Sequence, residues 1–255
     1  MDLGGAPVVR EISFAVEAGR CTALLGPNGS GKTTLLRAIG GVLSYDGQLT
    51  LDGREVRDWP PRALARRVAF VRQAPALSFD LRVEDLVALG RAPHKDLLES
   101  RTDADRKRVH EALEAVELDG FADRSARTLS GGERGRAFLA QALAQEADLL
   151  LLDEPTAHLD IRHQHAFFER VRRLTRTEGR AALLAAHDLE RAARYADRLL
   201  VLRPDGHLAA AGPPNDVLTR ALIAEVFRMD ARVERPAEGP LRIRYCGPAK
   251  PTATA

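Results

Sequence analysis

The sequence predicts an α/β fold in which parallel strands deliver polar residues to one edge of a sheet. Two stretches support this prediction: a glycine-rich loop that follows the apolar run 21–25, and an apolar run at 149–152 that ends in acidic residues. A third observation is the helical pattern over about 82–145, which interrupts the alternation of strands and helices and indicates an inserted helical subdomain. Ligands of open α/β sheets bind at the carboxyl ends of the strands. We therefore expect the two stretches to meet there.

The glycine-rich loop has the spacing of a phosphate-binding loop. Its residues are Gly26, Pro27, Asn28, Gly29, Ser30, Gly31, Lys32, Thr33 and Thr34. Glycines remove the β-carbons that would keep a polyphosphate away, and the helix that begins near Lys32 adds its positive dipole end. Lys32 would reach the terminal phosphates, and the Thr33 hydroxyl would bind magnesium. The alternative, a turn that only joins a strand to a helix, does not explain the spacing.

A second glycine-rich turn leads directly into a helix that runs to about Gln145. It consists of Leu129, Ser130, Gly131, Gly132 and Glu133. A serine hydroxyl, flexible backbone N–H groups and a helix N-terminus together form an anion site. A serine-capped helix with a glutamate in its first turn is the alternative, and for an isolated motif it would be preferred. The phosphate loop in the same chain favours the anion site.

The run 149–152 is a strand with acids at its carboxyl end. Asp153 is placed to hold magnesium through its water shell, and Glu154 to orient or deprotonate an attacking water. A solvated turn before Pro155 is the alternative, and the four leucines argue against it. A further apolar run, 181–186, ends in His187, which could donate to a γ-phosphate or cap the next helix. We favour the first, because this is the third strand to end in a polar group.

Other elements follow from periodicity and turn residues. A helix cap is predicted at 102–105. Residues from 247 onward are expected to be disordered. The predicted strands are 8–16, 47–53, 68–71, 199–202 and 241–245, and the predicted helices are 33–39 and 83–91. Gln73 follows the strand 68–71 and is either a neutral ligand that reaches into the site or a surface side chain.

Composition excludes several function classes. The formal charge is +2 and no block of like charges occurs, so nothing supports nucleic-acid binding. Two cysteines, Cys21 and Cys246, are too few for a disulfide framework and favour a reducing compartment. No apolar run reaches the length of about 18 residues that spans a bilayer, and residues 1–4 lack the features of a signal peptide. We expect a cytosolic protein.

Taken together and in this order, the motifs resemble those of the ATP-binding subunits of ABC transporters. The motifs are the phosphate loop, Gln73, the LSGGE of 129–133, the acidic strand and His187. Asp160 matches the loop whose aspartate crosses to a partner subunit. The resemblance implies a P-loop NTPase (RecA-like) core with a helical subdomain inserted at about 76–145 and a small antiparallel β part. It also implies an ATP-binding domain over 1–236 and a partly disordered extension over 237–255.

The resemblance also implies cofactors and roles. ATP and Mg²⁺ would be bound, with Thr33, Gln73 and Asp153 at the metal and Lys32, Gln73, Glu154 and His187 as catalytic residues. Two subunits would pair head to tail as a homodimer, each offering residues 129–133 to the other's nucleotide. The dimer would drive an integral membrane permease dimer from the cytoplasmic face of the inner membrane, as a peripheral protein. A substrate-binding protein would take part indirectly, and nucleic acid would have no role.

Narrower features indicate a subfamily. Residues 83–94, 158–164 and 187–202 are similar to the ATPases that import ferric siderophores, haem and cobalamin. An exporter subunit and a soluble ABC-type ATPase are the alternatives. Against the soluble class stand a single set of motifs and the lack of heptads. Two departures from the family pattern are Leu3, where an aromatic residue would stack on adenine, and Gly135, where glutamine is common. We expect weakened ATP binding from the first and a weakened helix from the second.

Overall fold

A six-stranded sheet lies at the centre of the protein. The computed structural model describes residues 2–3, 6–72, 79–96, 99–156, 159–236 and 239–249, with backbone alone at 2–3 and 6–7. The strands are β1 (Asp2–Leu3), β2 (Ala6–Pro7), β3 (Cys21–Leu25), β4 (Thr50–Leu51), β5 (Arg54–Glu55), β6 (Val68–Val71), β7 (Leu149–Asp153), β8 (Ala181–Ala185), β9 (Arg198–Leu202), β10 (Leu208–Gly212), β11 (Met229–Glu234) and β12 (Arg242–Pro248).

Helices cover the sheet and form a separate group between β6 and β7. They are α1 (Lys32–Ile39), α2 (Pro61–Arg67), α3 (Val83–Ala88), α4 (Asp103–Glu114), α5 (Gly131–Ala144), α6 (Ile161–Glu178), α7 (Leu189–Tyr195), α8 (Pro214–Val217) and α9 (Arg220–Phe227). Within the described ranges, no helix has the length and apolar character needed to cross a membrane.

The strand order of the sheet places the two predicted motifs side by side. The order is β10-β9-β3-β8-β7-β6, and all neighbours are parallel except β10 and β9. Leu24 of β3 and Asp153 of β7 both lie opposite Ala185 of β8. Since the strands are parallel, the loop after β3 and the acids at the end of β7 lie at one edge. This confirms the predicted α/β fold.

The strands are apolar because both faces of the sheet are covered. In β7, Leu150 and Leu152 belong to the core shared with α3 to α6, whereas Leu149 and Leu151 pack on the side of α1. Successive side chains of a strand point to opposite faces, so an uninterrupted leucine run fills two cores. The four leucines before Asp153 thus identify an interior strand.

A buried cluster of charged side chains connects the helices that lie between β6 and β7. Arg91, 8% exposed, donates to Asp105 at 3.0 Å, to Glu146 at 2.7 Å and to the Ala144 carbonyl at 2.8 Å. Asp105 also accepts bonds from Thr102 in a capping box, which confirms the helix start predicted at 102–105. Burial alone would raise the pKa of Asp105, but the bonds from Thr102 and Arg91 lower it to about 2.

Two of the predicted strands differ from the observed structure. Residues 8–16 form no strand, although Val9 is buried and the alternate residues Ile12, Phe14 and Val16 pack against the core. The alternation thus predicted which side chains the core covers. A strand also requires a neighbouring strand to which it is hydrogen-bonded, and the alternation does not specify one. The predicted strand at 47–53 is shortened to β4, Thr50–Leu51, which pairs with β5 across the Asp52–Gly53 turn.

The carboxyl-terminal segment is more ordered than predicted. β12 begins one residue after the predicted start of the strand 241–245, continues to Pro248 and pairs with β11, which the sequence did not predict. The expected disorder from residue 247 is therefore wrong for Gly247 and Pro248, because ladder bonds to Met229 and Asp230 hold them. The Ile243 N–H donates to the Glu190 carboxylate on α7. Residues 250–255 lie outside the described part of the chain.

Candidate functional site

The loop between β3 and α1 holds a buried lysine. Lys32 Nζ donates to the carbonyl oxygens of Gly26 at 2.8 Å and Pro27 at 3.2 Å. Burial lowers the pKa of Lys32, and the charges of Glu154 and Asp153 act in the opposite direction. An anion bound in the loop would relieve the cost of burying this ammonium group. The loop is therefore suited to phosphate.

Gly31 shows why this loop requires glycine. Its φ is +95°, and a β-carbon there would lie 2.5 Å from Val9 Cγ2. The close approach of Val9 fixes the loop from behind, so the backbone that precedes α1 is held in place by the segment 8–16. That segment was predicted only as a strand, and its support of the loop was missed.

A hydrogen bond joins the phosphate loop, residues 26–34, to the acidic strand β7. Thr33 Oγ1 donates to Asp153 Oδ1 at 3.0 Å, although the two residues are 120 positions apart. Asp153 is 6% exposed, and burial raises its pKa; the Thr33 bond lowers the pKa and the Glu154 charge raises it. A cation beside these oxygens would stabilise the carboxylate. Hydroxyl and carboxylate oxygens are the donors that Mg²⁺ prefers.

Within the described ranges, no group of three or more His, Cys, Asp or Glu side chains is arranged so that it could hold a metal ion by itself. Mg²⁺ commonly binds through one or two protein oxygens together with substrate phosphates. The donor set of Thr33 and Asp153 fits that mode of binding.

Glu154 and His187 lie together at the ends of β7 and β8. His187 Nδ1 is 3.8 Å from Glu154 Oε2, and the His187 side chain is 67% exposed. Glu154 adopts a φ of +46°, and its N–H donates to the Ala185 carbonyl at 3.3 Å. The helix after His187 is capped by Asp188, which accepts a bond from the Arg191 N–H. His187 is thus not the cap of α7, and its action on a phosphate remains a prediction.

The second glycine-rich turn has the geometry of a capped helix. The Ser130 hydroxyl accepts a bond from the Glu133 N–H at 3.3 Å, and the Glu133 carboxylate accepts one from the Ser130 N–H at 2.7 Å. The bond from the Ser130 N–H to the carboxylate, with a smaller contribution from the Ser130 hydroxyl, lowers the pKa of Glu133. In the part of the chain that is described, no hydrogen bond connects residues 129–133 to the loop 26–34. A role of Ser130 as an anion donor in trans stays a prediction.

The remaining predicted residues are a helix cap, Asp160, and residues outside the described ranges. Asp160 caps α6 and accepts bonds from the His163 backbone at 2.9 Å and from His163 Nδ1 at 2.8 Å, which lower its pKa. Gln73 lies outside the described residues, as do Ala157 and His158. The strand that precedes Gln73, β6, is the direct neighbour of β7.

The structure adds two side chains that sequence analysis missed. A cavity of about 130 Å³ beside Glu154 and His187 is also lined by Gln164 of α6 and Arg191 of α7. In the sequence, Gln164 was considered only as one residue of the segment 158–164, whose similarity indicates a subfamily. The hydrogen bond between these two side chains joins residues 27 positions apart on different helices, so it depends on tertiary packing and no local pattern could have revealed it.

The chain matches known protein families and proteins over more than half of its length. Residues 9–157 match the model of the family described as ABC transporter. The chain is 45% identical over 243 residues to the hemin import ATP-binding protein HmuV of Streptomyces coelicolor, covering 94% of this chain and 85% of that protein. It is 38% identical over 225 residues to the ferric enterobactin transport ATP-binding protein FepC of Escherichia coli, covering 88% and 83%. Other relatives are named for siderophore or cobalamin transport.

The fold is shared with solved structures of the same kind. CbiO1 of Clostridium perfringens, described as part of the ABC transporter complex cbiONQ, superposes with a TM-score of 0.73. The match covers 85% of this chain and 86% of that chain at 27% identity. The sheet order and the inserted helices described above therefore follow a known architecture.

Proposed function

Because the chain belongs to the ABC transporter family and is an ATPase of the ABC type, we propose that it powers an importer. The cargo would be an iron chelate such as a ferric siderophore, haem or cobalamin, carried by a separate permease. Relatives named as import ATP-binding proteins, matched over most of their length, support this choice. The observation that carries the chemistry is the Thr33–Asp153 bond, which brings the loop and the acidic strand into one site.

Residues 26–34 would bind the phosphates of ATP. Lys32 Nζ now donates to two neutral carbonyl oxygens, and phosphate oxygens would replace them with charge-assisted bonds. Backbone N–H groups at the start of α1 would add the helix dipole. Thr33, Asp153 and the predicted Gln73 would hold Mg²⁺. When bound, Mg²⁺ would neutralise part of the phosphate charge.

Glu154 would take the proton of the attacking water. It lies directly after the buried strand, and its Oε2 is 3.8 Å from His187 Nδ1 at the sheet edge. His187 would donate to the γ-phosphate. Both side chains stand at the carboxyl edge on which Lys32 and Thr33 also lie, so they share one approach to the terminal phosphate.

The site is proposed to be completed by a second copy. Residues 129–133 make no hydrogen bond to the loop 26–34 within the described chain, yet they present a serine hydroxyl at an exposed helix start. A partner that brings this turn to the γ-phosphate would add the charge stabilisation that one subunit lacks. Asp160 would cross to the partner in the same contact.

The homodimer would drive an integral membrane permease dimer from the cytoplasmic face of the membrane, as a peripheral subunit. A substrate-binding protein would take part only through the permease. The cargo itself would not touch this chain, and nucleic acid would have no role, in keeping with a formal charge of only +2.

Two variants test the catalytic proposal. Glu154→Gln should keep ATP binding, accumulate a dimer in ATP and Mg²⁺, and lose most turnover. Lys32→Ala should lose nucleotide binding, while Lys107→Ala, which changes an exposed lysine of α4, should bind as the native chain does. Size-exclusion chromatography and steady-state hydrolysis measure these outcomes. Turnover near the native rate in Glu154→Gln would show that another residue is the base.

The importer assignment is tested in membranes. Co-purification with a permease, and ATP-dependent uptake of ferric siderophore, haem or cobalamin by the assembled complex, are expected. Efflux in the same vesicles would indicate an exporter subunit, and co-purification with ribosomes or DNA would indicate a soluble ATPase.

A further inference from the structure

A chain of hydrogen bonds links the segment after Glu154 to the turn that carries His187. Gln164 donates from Nε2 to the Thr156 carbonyl oxygen at 3.1 Å, two residues beyond Glu154. Arg191 donates from Nη1 to Gln164 Oε1 at 2.5 Å. Two side chains on different helices therefore connect the backbone that follows β7 to the start of α7.

Arg191 also holds the His187 turn directly. Its Nε lies 3.5 Å from Asp188 Oδ2, and its backbone N–H donates to Asp188 Oδ1 at 2.9 Å. The guanidinium carbon is 5.9 Å from the centroid of the Phe168 ring, which supports one face of the group. A planar guanidinium presents several donors in fixed directions, so it can hold Gln164 and Asp188 at a set spacing.

The reacting side chains need such a hold because a cavity adjoins them. The space of about 130 Å³ is lined by Glu154, His187, Gln164 and Arg191 together. Close-packed neighbours usually fix a side chain in place, and a cavity leaves part of its surface without them. The separation of Glu154 and His187, 3.8 Å between Oε2 and Nδ1, then depends on the backbone segments that carry them.

We infer that Gln164 and Arg191 are positioning residues, which set the spacing of Glu154 and His187 for ATP hydrolysis. The inference rests on the proposed function, since it assigns chemical roles to Glu154 and His187. Gln164 and Arg191 act through Thr156 and Asp188, and the phosphate loop is untouched. Loss of either side chain should therefore lower kcat and leave the KM for ATP unchanged. A displacement of about 1 Å between reacting groups can lower kcat about 100-fold. Loss of either Gln164 or Arg191 should lower kcat about 5- to 10-fold.

Arg191→Met in the full chain tests this, with Arg194→Met as the matched control on the same helix. The structure places Arg194 over the Tyr195 ring, at 5.5 Å from its centroid. Steady-state ATP hydrolysis should show the 5- to 10-fold loss of kcat in Arg191→Met, a KM within about 2-fold of the native value, and no change in Arg194→Met. Gln164→Leu should reproduce the loss, and the double variant should add little. Arg191→Lys should restore part of kcat.

Native kcat in Arg191→Met, or losses that multiply in the double variant, would overturn the inference. A second measurement does not depend on turnover: the imidazole resonances of His187, read by NMR, should move in Arg191→Met and in Gln164→Leu but not in Arg194→Met. Resonances that stay in place in both variants would refute the positioning role and leave the ATPase proposal intact. Full turnover in Glu154→Gln, measured in parallel, would refute the base assignment without affecting the NMR result.

Discussion

The ionic cluster around Arg91 yields a prediction with a defined magnitude. Asp105→Asn removes the charge that Arg91 contacts at 3.0 Å and keeps the size of the side chain. The side chains of Arg91 and Asp105 are only 10% and 7% exposed, so solvent screens their interaction little. Lowering the Asp105 pKa from its ordinary 3.8 to about 2 corresponds to roughly 2 kcal/mol of folded-state stabilisation at neutral pH.

The sign of the pH dependence follows from the same pKa. Because the folded pKa lies below the unfolded one, the stabilisation is complete above about pH 5 and is lost as the pH falls toward 2. About half of the stabilisation should remain at pH 3. The free energy of unfolding of Asp105→Asn should thus fall short of the native value by about 2 to 3 kcal/mol at pH 7 and by about half as much at pH 3.

Urea unfolding followed by circular dichroism at both pH values measures this difference. Asp103→Asn is the control, since it lies in the same helical turn with a 97% exposed side chain and should change stability by less than about 0.5 kcal/mol. A loss in Asp105→Asn below about 0.5 kcal/mol at pH 7, or an equal loss at both pH values, would refute the ionic account of the cluster.

Two further predictions concern stability and reactivity. Gly135→Ala should raise the free energy of unfolding by about 1 kcal/mol, because among the described residues a β-carbon there meets only Leu159 Cδ2 at 3.7 Å and the Pro155 carbonyl at 3.9 Å. A lower urea midpoint would contradict this. Burial raises the pKa of the Cys21 thiol to about 12 and leaves it protonated, whereas Cys246 is exposed. Ellman's reagent at pH 8 should therefore titrate one thiol in the native chain and two in urea, and two native equivalents would show that Cys21 is accessible.

The phosphate loop and its neighbours were predictable because their signals are local or depend only on strand direction. The spacing of 26–34 predicted a helix near Lys32, and α1 begins at that residue. Parallel strands end at one edge, so the meeting of Thr33 with Asp153 followed from recognising two strands and not from any pairwise pattern. The capping box at Thr102 was likewise readable within four residues.

Other features depend on tertiary contacts that no short window contains. Residues 8–16 have the alternation of a strand, but pairing requires a neighbour that the alternation cannot specify. The order of Gly247 and Pro248 comes from pairing with β11, and although the residues of β11 alternate between apolar and polar, that alternation does not specify the partner strand. Gln164 and Arg191 meet only because α6 and α7 pack together. The single chain shows Ser130 as the cap of a helix, and any role toward a partner subunit depends on how two copies assemble.

The reciprocal cap of Ser130 and Glu133 has a consequence for how two copies would part. In the single chain, the N–H groups of Ser130 and Glu133 are each bonded within the turn. Two copies that separate would therefore leave these two donors paired inside their own chain. Dissociation after each turnover would then cost less at this turn than it would at an uncapped helix start.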